Sequence, residues 1–425
     1  MKCPINISNN LLPQSKIYIN LNALANNVKK LKARCSPDVA LMAVVKANGY
    51  GHGAVLVAKT ALQNGASSLA VARIHEAVEL REAGIEAPIL LFGDVLPCQL
   101  EWLALNGVSI TIGSLSSAKN ISKAAKEIAD SACVTRKYLP LDDLAKAKNH
   151  NGLTPVVKVH IKVDTGMGRI GFVIPPLSFS DSSKIEQLNQ ELFDKVVDEI
   201  IEMTTLDNIE VDGIYTHFAN ADIKDKSHVN EQIEKFNVLI NALEKRGFKP
   251  RICHASNSAA TIEIPEGHFN MVRAGISMYG LYPSDEINRE VIELEPVMSV
   301  VSKIIHLKDV PSGFKVSYGS TYITSSPTKI ATVPIGYADG YSRLLSSKGE
   351  MLVKGIRCKV VGRVCMDYTM IDVGNIPNVE VGDDVVVMGR QGDQEILADE
   401  IACHINTINY EVVCSFNRRM PIFHI

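Results

Sequence analysis

The chain has 425 residues, of which 46% are hydrophobic and 21% charged, the composition of a folded globular protein with two or three domains. With 44 Lys plus Arg against 47 Asp plus Glu and a net charge of -3, it has no basic field with which to grip nucleic acid. No apolar run is long enough to span a membrane, so no membrane partner is expected. The 9 cysteines are scattered and form no C-x-x-C pair, which argues against a zinc site or a disulfide framework. No metal is expected. The amino terminus lacks the apolar stretch of a signal peptide, so a cytoplasmic address with reduced thiols is expected.

Residues 1–15 read as an amino-terminal extension. From 16 to 282 short β-rich runs alternate with longer helical patterns. The candidate strands are Ile17-Tyr-Ile-Asn, Leu41 to Val45, Ser68 to Ala72, Pro88 to Phe92, Val108 to Ile112, Val156 to Val163, Val211 to Tyr215 and Met271 to Met278. Between two of them, Ile74, Ala77, Val78 and Leu80 to Ala83 share a helical face, and Gly84 ends the helix. Repeated strand–helix units predict a parallel sheet, open or closed. From 283 to 425 runs such as Met298 to Ile305, Lys329 to Ile335 and Asp384 to Met388 are separated by Gly, Pro and Asp turns, which predicts a second, mainly-β domain. The charged stretch from Ser131 to Leu153 reads as a surface insertion.

Several residues contradict the elements that carry them. Lys46 closes an otherwise apolar strand, although strands of a parallel sheet are buried on both faces and should be apolar to their ends. Desolvation there would lower its pKa and free the amine as a nucleophile. In Val156 to Asp164, Lys158, His160, Lys162 and Asp164 share one face, which is either a solvated edge or a functional wall. The strand runs straight into Thr165-Gly-Met-Gly-Arg169, a tight turn that sets a guanidinium past its end. His217 ends another strand, where a structural histidine is the commoner case. His254-Ala-Ser-Asn-Ser258 offers neutral donors for a phosphate or a helix cap. Arg273 interrupts a core strand and needs a partner there. Tyr318, Tyr337 and Tyr410 lie in Gly-flanked or short polar segments, and Met366 precedes Asp367 in the β-domain.

Taken in order, Val44-Val-Lys-Ala-Asn-Gly-Tyr-Gly-His-Gly, His160-Ile-Lys-Val-Asp-Thr-Gly-Met-Gly-Arg, Thr216-His-Phe-Ala, Ala255-Ser-Asn-Ser, Val272-Arg-Ala-Gly-Ile, Val316-Ser-Tyr-Gly, Pro334-Ile-Gly-Tyr-Ala-Asp-Gly and Gly362-Arg-Val-Cys-Met-Asp resemble the alanine racemases. These are pyridoxal-phosphate enzymes with a (β/α)8 TIM-type barrel followed by a carboxy-terminal mainly-β domain. The resemblance implies a barrel over 16–282 and a homodimer with shared active sites. Lys46 would hold pyridoxal 5'-phosphate as a Schiff base and serve as one base, with Tyr318 of the partner subunit facing it as the other. It assigns the phosphate to Tyr50, Ser258, the backbone of Gly275 and Ile276, and Tyr410. The ring end falls to His217 and Arg273. Arg169, Met366 and Tyr337 would meet the substrate, Arg169 also touching the cofactor, and Lys162 matches a lysine that many members carry as a carbamate. The implied reaction interconverts L- and D-alanine for peptidoglycan synthesis. A serine or broad-specificity racemase with the same chemistry is the alternative, because sequence does not set the width of the side-chain pocket. Decarboxylases of this fold fit less well, since the Ser-Tyr-Gly and Cys-Met-Asp strings match racemases. A non-catalytic pyridoxal-phosphate carrier would resemble the barrel alone.

Overall fold

The computed structural model describes residues 13–93, 95–130, 156–176, 183–416 and 419–425. The insertion expected at Ser131 to Leu153 and most of the amino-terminal extension lie outside them. The chain opens with β1 (Lys16–Ile19) and continues through β2 (Ala40–Val44), β3 (Ser68–Val71), β4 (Ile89–Leu91), β5 (Val108–Ile112) and β6 (Val157–Asp164). A two-residue β7 (Phe172–Val173) precedes β8 (Ile209–Tyr215), β9 (Ile252–His254) and β10 (Met271–Ala274). Eight of these pair in parallel in the order β5-β4-β3-β2-β10-β9-β8-β6, and β5 pairs with β6 to close the barrel. The barrel strands are apolar because both faces are covered: β3, β4 and β5 are buried throughout.

Helices alternate with the strands as the periodicity predicts. The helix Leu21–Ala33 is capped by Asn20, whose side-chain oxygen accepts N–H bonds from Asn22 and Ala23 at 3.0 Å each, and it buries Ala23, Leu24, Val28 and Leu31. The helix Ile74–Glu82 stops where Gly84 turns left-handed at φ +75°.

Two expectations are corrected. The first candidate strand is not a barrel strand. β1 pairs antiparallel with β11 (Met298–Lys303) and parallel with the strand Ile422–His424, so β1 belongs to the main sheet of the β-domain. Its alternation, with Ile17 and Ile19 fully buried, is that of a sheet with two unlike faces. The missing barrel strand is β9, whose three residues are too short to show a period. In addition, the run from Met271 is a strand only to Ala274, and Ile276–Tyr279 is a 3-10 turn. The rest of the β-domain holds a three-stranded sheet (His306–Val310, Thr328–Val333 and Thr369–Asp372) and two short helices, Ala398–Ile405 and Asn409–Ser415.

Candidate active site

β2 ends at Val44, and Lys46 opens a turn in which Ala47, Asn48, Gly49 and Tyr50 all lie in left-handed space, at φ between +53° and +60°. A run of L-residues there costs about 1–2 kcal/mol per residue and must be held from outside. Asn48 accepts the Ala54 N–H at 3.0 Å, and the His52 Nδ1–H donates to the carbonyls of Gly49 and Tyr50 at 3.0 and 2.8 Å. Glu76 ties it to the end of the neighbouring strand β3. One carboxylate oxygen accepts the Ala47 N–H at 2.6 Å, while the other accepts those of Ala72 and Arg73 at 2.8 and 2.9 Å. The turn thereby presents the Lys46 amine at the carboxyl end of β2, where catalytic groups of such barrels gather. Burial lowers the pKa of that amine, the Arg169 cation lowers it further, and Glu76 opposes both.

At the barrel centre Arg273 is buried and donates to four acceptors. Its Nη1 reaches His254 Nδ1 at 3.0 Å, and its Nη2 reaches His217 Nδ1 at 3.1 Å and the carbonyls of Thr216 and Ala255 at 2.9 and 2.7 Å. Burial lowers its pKa to about 10, so it remains a cation near neutrality. Burial first, and then Arg273, push both histidines well below the usual imidazole range. The face shared by His160, Lys162 and Asp164 is not a solvated edge: all three are buried, and only Lys158 is exposed. Burial lowers the Lys162 pKa to about 8. Asp164 accepts the backbone N–H groups of Gly166, Met167, Gly168 and Arg169, which folds the loop carrying Arg169 back over the strand end.

The opposite end is built of neutral donors. Ser258 Oγ accepts the N–H groups of Gly275 and Ser277 at 2.9 and 3.3 Å. The Tyr50 hydroxyl lies over Gly275 so closely that a Cβ there would stand 2.9 Å from it. Tyr410, from the helix Asn409–Ser415 of the β-domain, brings its ring within 6.2 Å of Tyr50. Burial raises the pKa of both phenols, which keeps them as O–H donors.

Lys46, Tyr50, Lys162, Arg169 and His217 all line one cavity of about 530 Å³, together with Ser258, Arg273, Gly275, Ile276 and Tyr410. Tyr318, Tyr337 and Met366 do not line it. They lie on the β-domain with 71%, 41% and 53% of their surface exposed. Tyr337 and Met366 sit on abutting turns, where the Tyr337 N–H donates to the Cys365 carbonyl at 3.0 Å and the Ala338 N–H to that of Met366 at 3.0 Å. Sequence reasoning missed Tyr215, Phe92 and Arg73, which also line the cavity, while Asn257, from the cluster read as phosphate donors or a helix cap, lines it and caps the helix Ser258–Glu263. Tyr215 and Arg73 could have been found, because each lies at the carboxyl end of a candidate strand. Tyr215 stacks on His254 at 4.7 Å and lies beneath both Lys162 and Arg273.

Residues 19–283 match the family model described as "Alanine racemase, N-terminal domain", and residues 297–424 match "Alanine racemase, C-terminal domain". The chain is similar to the alanine racemase of Methanococcus maripaludis, at 44% identity over 403 residues that cover 95% of this chain and 96% of that one. It is also similar to the alanine racemase of Desulfosudis oleivorans, at 45% identity over 405 residues that cover 95% and 94%. The solved alanine racemase of Clostridium difficile 630 superposes with a TM-score of 0.83 at 36% identity, covering 98% of this chain and 96% of that one. A closed parallel barrel with a strand-end lysine, joined to a β-domain and matched along nearly its whole length, belongs to the alanine racemase family.

Proposed function

We propose that this protein is a pyridoxal-phosphate-dependent alanine racemase, and that it works as a homodimer whose active sites each draw on both subunits. The observation that carries the proposal is the polarity of the cavity. An amine of lowered pKa, Lys46, lines it together with the buried cation Arg273 and its partner His217, and with a separate group of neutral hydroxyl and amide donors. Pyridoxal phosphate fits that donor set. Tyr50, Ser258, Tyr410 and the Gly275 and Ile276 backbone would hold its phosphate, Gly275 leaving free the space that a Cβ would fill. Arg273 and His217 would take the ring end. Bound there, the cofactor supplies an electron sink for the α-carbon of an amino acid.

The residues then have separable tasks. Lys46 holds or releases a proton on one side of that carbon, and its lowered pKa suits the exchange near neutral pH. Arg273 remains protonated and acts as a hydrogen-bond donor, not as an acid. Arg169, on the rim, is placed to meet the substrate carboxylate. Lys162, buried with a lowered pKa, is suited to add carbon dioxide as a neutral amine with loss of a proton, giving an anion beside Arg169. A racemase needs a second proton carrier on the far face. Tyr318 is the candidate, and its exposure on the β-domain is consistent with service to a partner's cavity, with Tyr337 and Met366 alongside. Production of D-alanine for peptidoglycan in the cytoplasm completes the reading.

Mixing two inactive variants tests the shared site. Lys46→Ala and Tyr318→Phe protomers that reassort at random should recover about a quarter of wild-type activity, because half the dimers are mixed and each has one intact site. Tyr318 acting within its own chain would leave the mixture inactive. Deuterium exchange at the α-carbon across alanine, serine and basic amino acids tests the substrate, and equal exchange of all of them would contradict alanine selectivity.

A further inference from the structure

Arg273 is a buried cation with an unusual shell. Among the described residues every group that accepts from it is neutral, two imidazoles and two carbonyls, and no carboxylate pairs with it. An uncompensated buried guanidinium is costly, so a counter-charge is expected nearby. Contacts beyond it lead to one, by a hydrogen bond and then a close charge contact. His254, which accepts from Arg273 through Nδ1, bonds through Nε2 to His160 Nδ1 at 2.9 Å. His160 Nε2 in turn faces the buried carboxylate of Asp212 at 4.0 Å.

The backbone is shaped for this row. The β6–β8 register slips between Val159 and His160, so that Val159 lies opposite Val211 and His160 opposite Gly213. Asp212 is therefore the extra residue of a bulge, a device that re-aims a side chain. Gly213 leaves the space that His160 occupies, since a Cβ there would stand 2.6 Å from His160 Nδ1. Arginine can only donate, which fixes every proton along the row. His254 must accept at Nδ1 and carry its proton on Nε2. It then donates to His160 Nδ1, and His160 carries its own proton on Nε2, directed at Asp212.

We propose that Asp212, His160 and His254 form a counter-charge relay for Arg273, positioning residues that deliver a buried carboxylate's polarisation to the cation at the ring end of the cavity. The consequence for catalysis rests on the reading of Arg273 given above, whereas the relay itself does not. Other charges face the row: Lys162 and Arg273 toward His254, and Arg251 and Arg273 toward His160. Arg251 also binds Asp212, through Nε at 2.8 Å, but its side chain is 68% exposed and solvent screens it.

Nitrogen-15 spectra of histidine-labelled wild-type protein, freed of cofactor, test the relay directly. Both imidazoles should be neutral and protonated on Nε2 from pH 6 to 9, and an Nδ1 proton on either would overturn the relay whatever the enzyme catalyses. With cofactor restored, Asp212→Asn should lower kcat roughly tenfold or more at near-constant KM. It should also move the visible absorption of the bound cofactor, and Asp212→Glu should recover part of both. His160→Gln should behave like Asp212→Asn. Wild-type spectra and kcat in both variants, with only a lower Tm, would reduce these residues to packing and overturn the proposal. Correct tautomers in a protein that racemises nothing would support the relay and sink the functional reading instead.

Discussion

Replacing Glu76 by Gln removes one negative charge and one acceptor from a site where two oxygens serve three backbone donors. The amide oxygen will stay with the Ala72 and Arg73 N–H groups, because two bonds outweigh one. The new NH2 then faces the Ala47 N–H, donor against donor, at a position where the carboxylate had accepted at 2.6 Å. Stranding this part-buried donor costs about 1 kcal/mol, the low end of the penalty for a buried one because solvent reaches Ala47, and turning two charge-assisted bonds into neutral ones costs roughly another 1 kcal/mol. The total, about 2 kcal/mol, falls on the clamp that ties the left-handed turn, strained at Ala47, Asn48 and Tyr50, to Ala72 and Arg73 at the end of β3. Amide exchange followed by mass spectrometry should therefore show the segment 44–50 opening up to about 30-fold faster, at 1.4 kcal/mol per factor of ten. The same change withdraws the anion that raises the Lys46 pKa, so the amine should also titrate at lower pH. Exchange within threefold of wild type, or an upward shift of the amine, would refute the claim that Glu76 holds the turn.

The other expectations concern single groups. Arg169→Gln removes a cation that lowers the Lys46 pKa, so pH-dependent acylation of the amine in cofactor-free protein should move to higher pH, and a downward shift would contradict the assignment. Lys162 falls from 10.5 to about 8 on folding, worth on the order of 3 kcal/mol. Between those two values the unfolded chain holds a proton that the folded one has lost, so stability rises with pH across the window and the penalty is complete below it. In protein kept free of carbon dioxide, Lys162→Met should flatten that rise in urea midpoints taken at pH 7 and 10, and an unchanged slope would exclude Lys162 as its source. Gly275→Ala sets a Cβ 2.9 Å from the Tyr50 hydroxyl, so fluorescence titration should give a cofactor Kd at least roughly tenfold higher, one hydrogen bond's worth. An unaltered Kd would remove Tyr50 from the phosphate site.

What could be read in advance was chemistry at odds with its element. Lys46 and Arg273 stood out because a charge in a strand buried on both faces needs a reason, and both line the cavity. Where a residue suited two environments, the pattern was silent. The alternation of His160, Lys162 and Asp164 is the same whether the polar face meets water or the inside of a barrel, and only closure of β5 onto β6 decides it. β1 alternates as a barrel strand could, and what assigns it elsewhere is the choice of β11 as partner, a long-range event with no local mark. β9 is three residues long. Glu76 lies off the apolar face of its helix and reads as solvated, yet it is 8% exposed because three backbone donors draw it inward. The row from Arg273 to Asp212 is hidden for the same reason, since it depends on a one-residue slip in register and a glycine that leaves a gap. A single strand can thus announce the groups at its end, whereas the groups that hold them are set by how strands meet, and variants at Glu76 and Asp212 measure the second kind of information independently of the first.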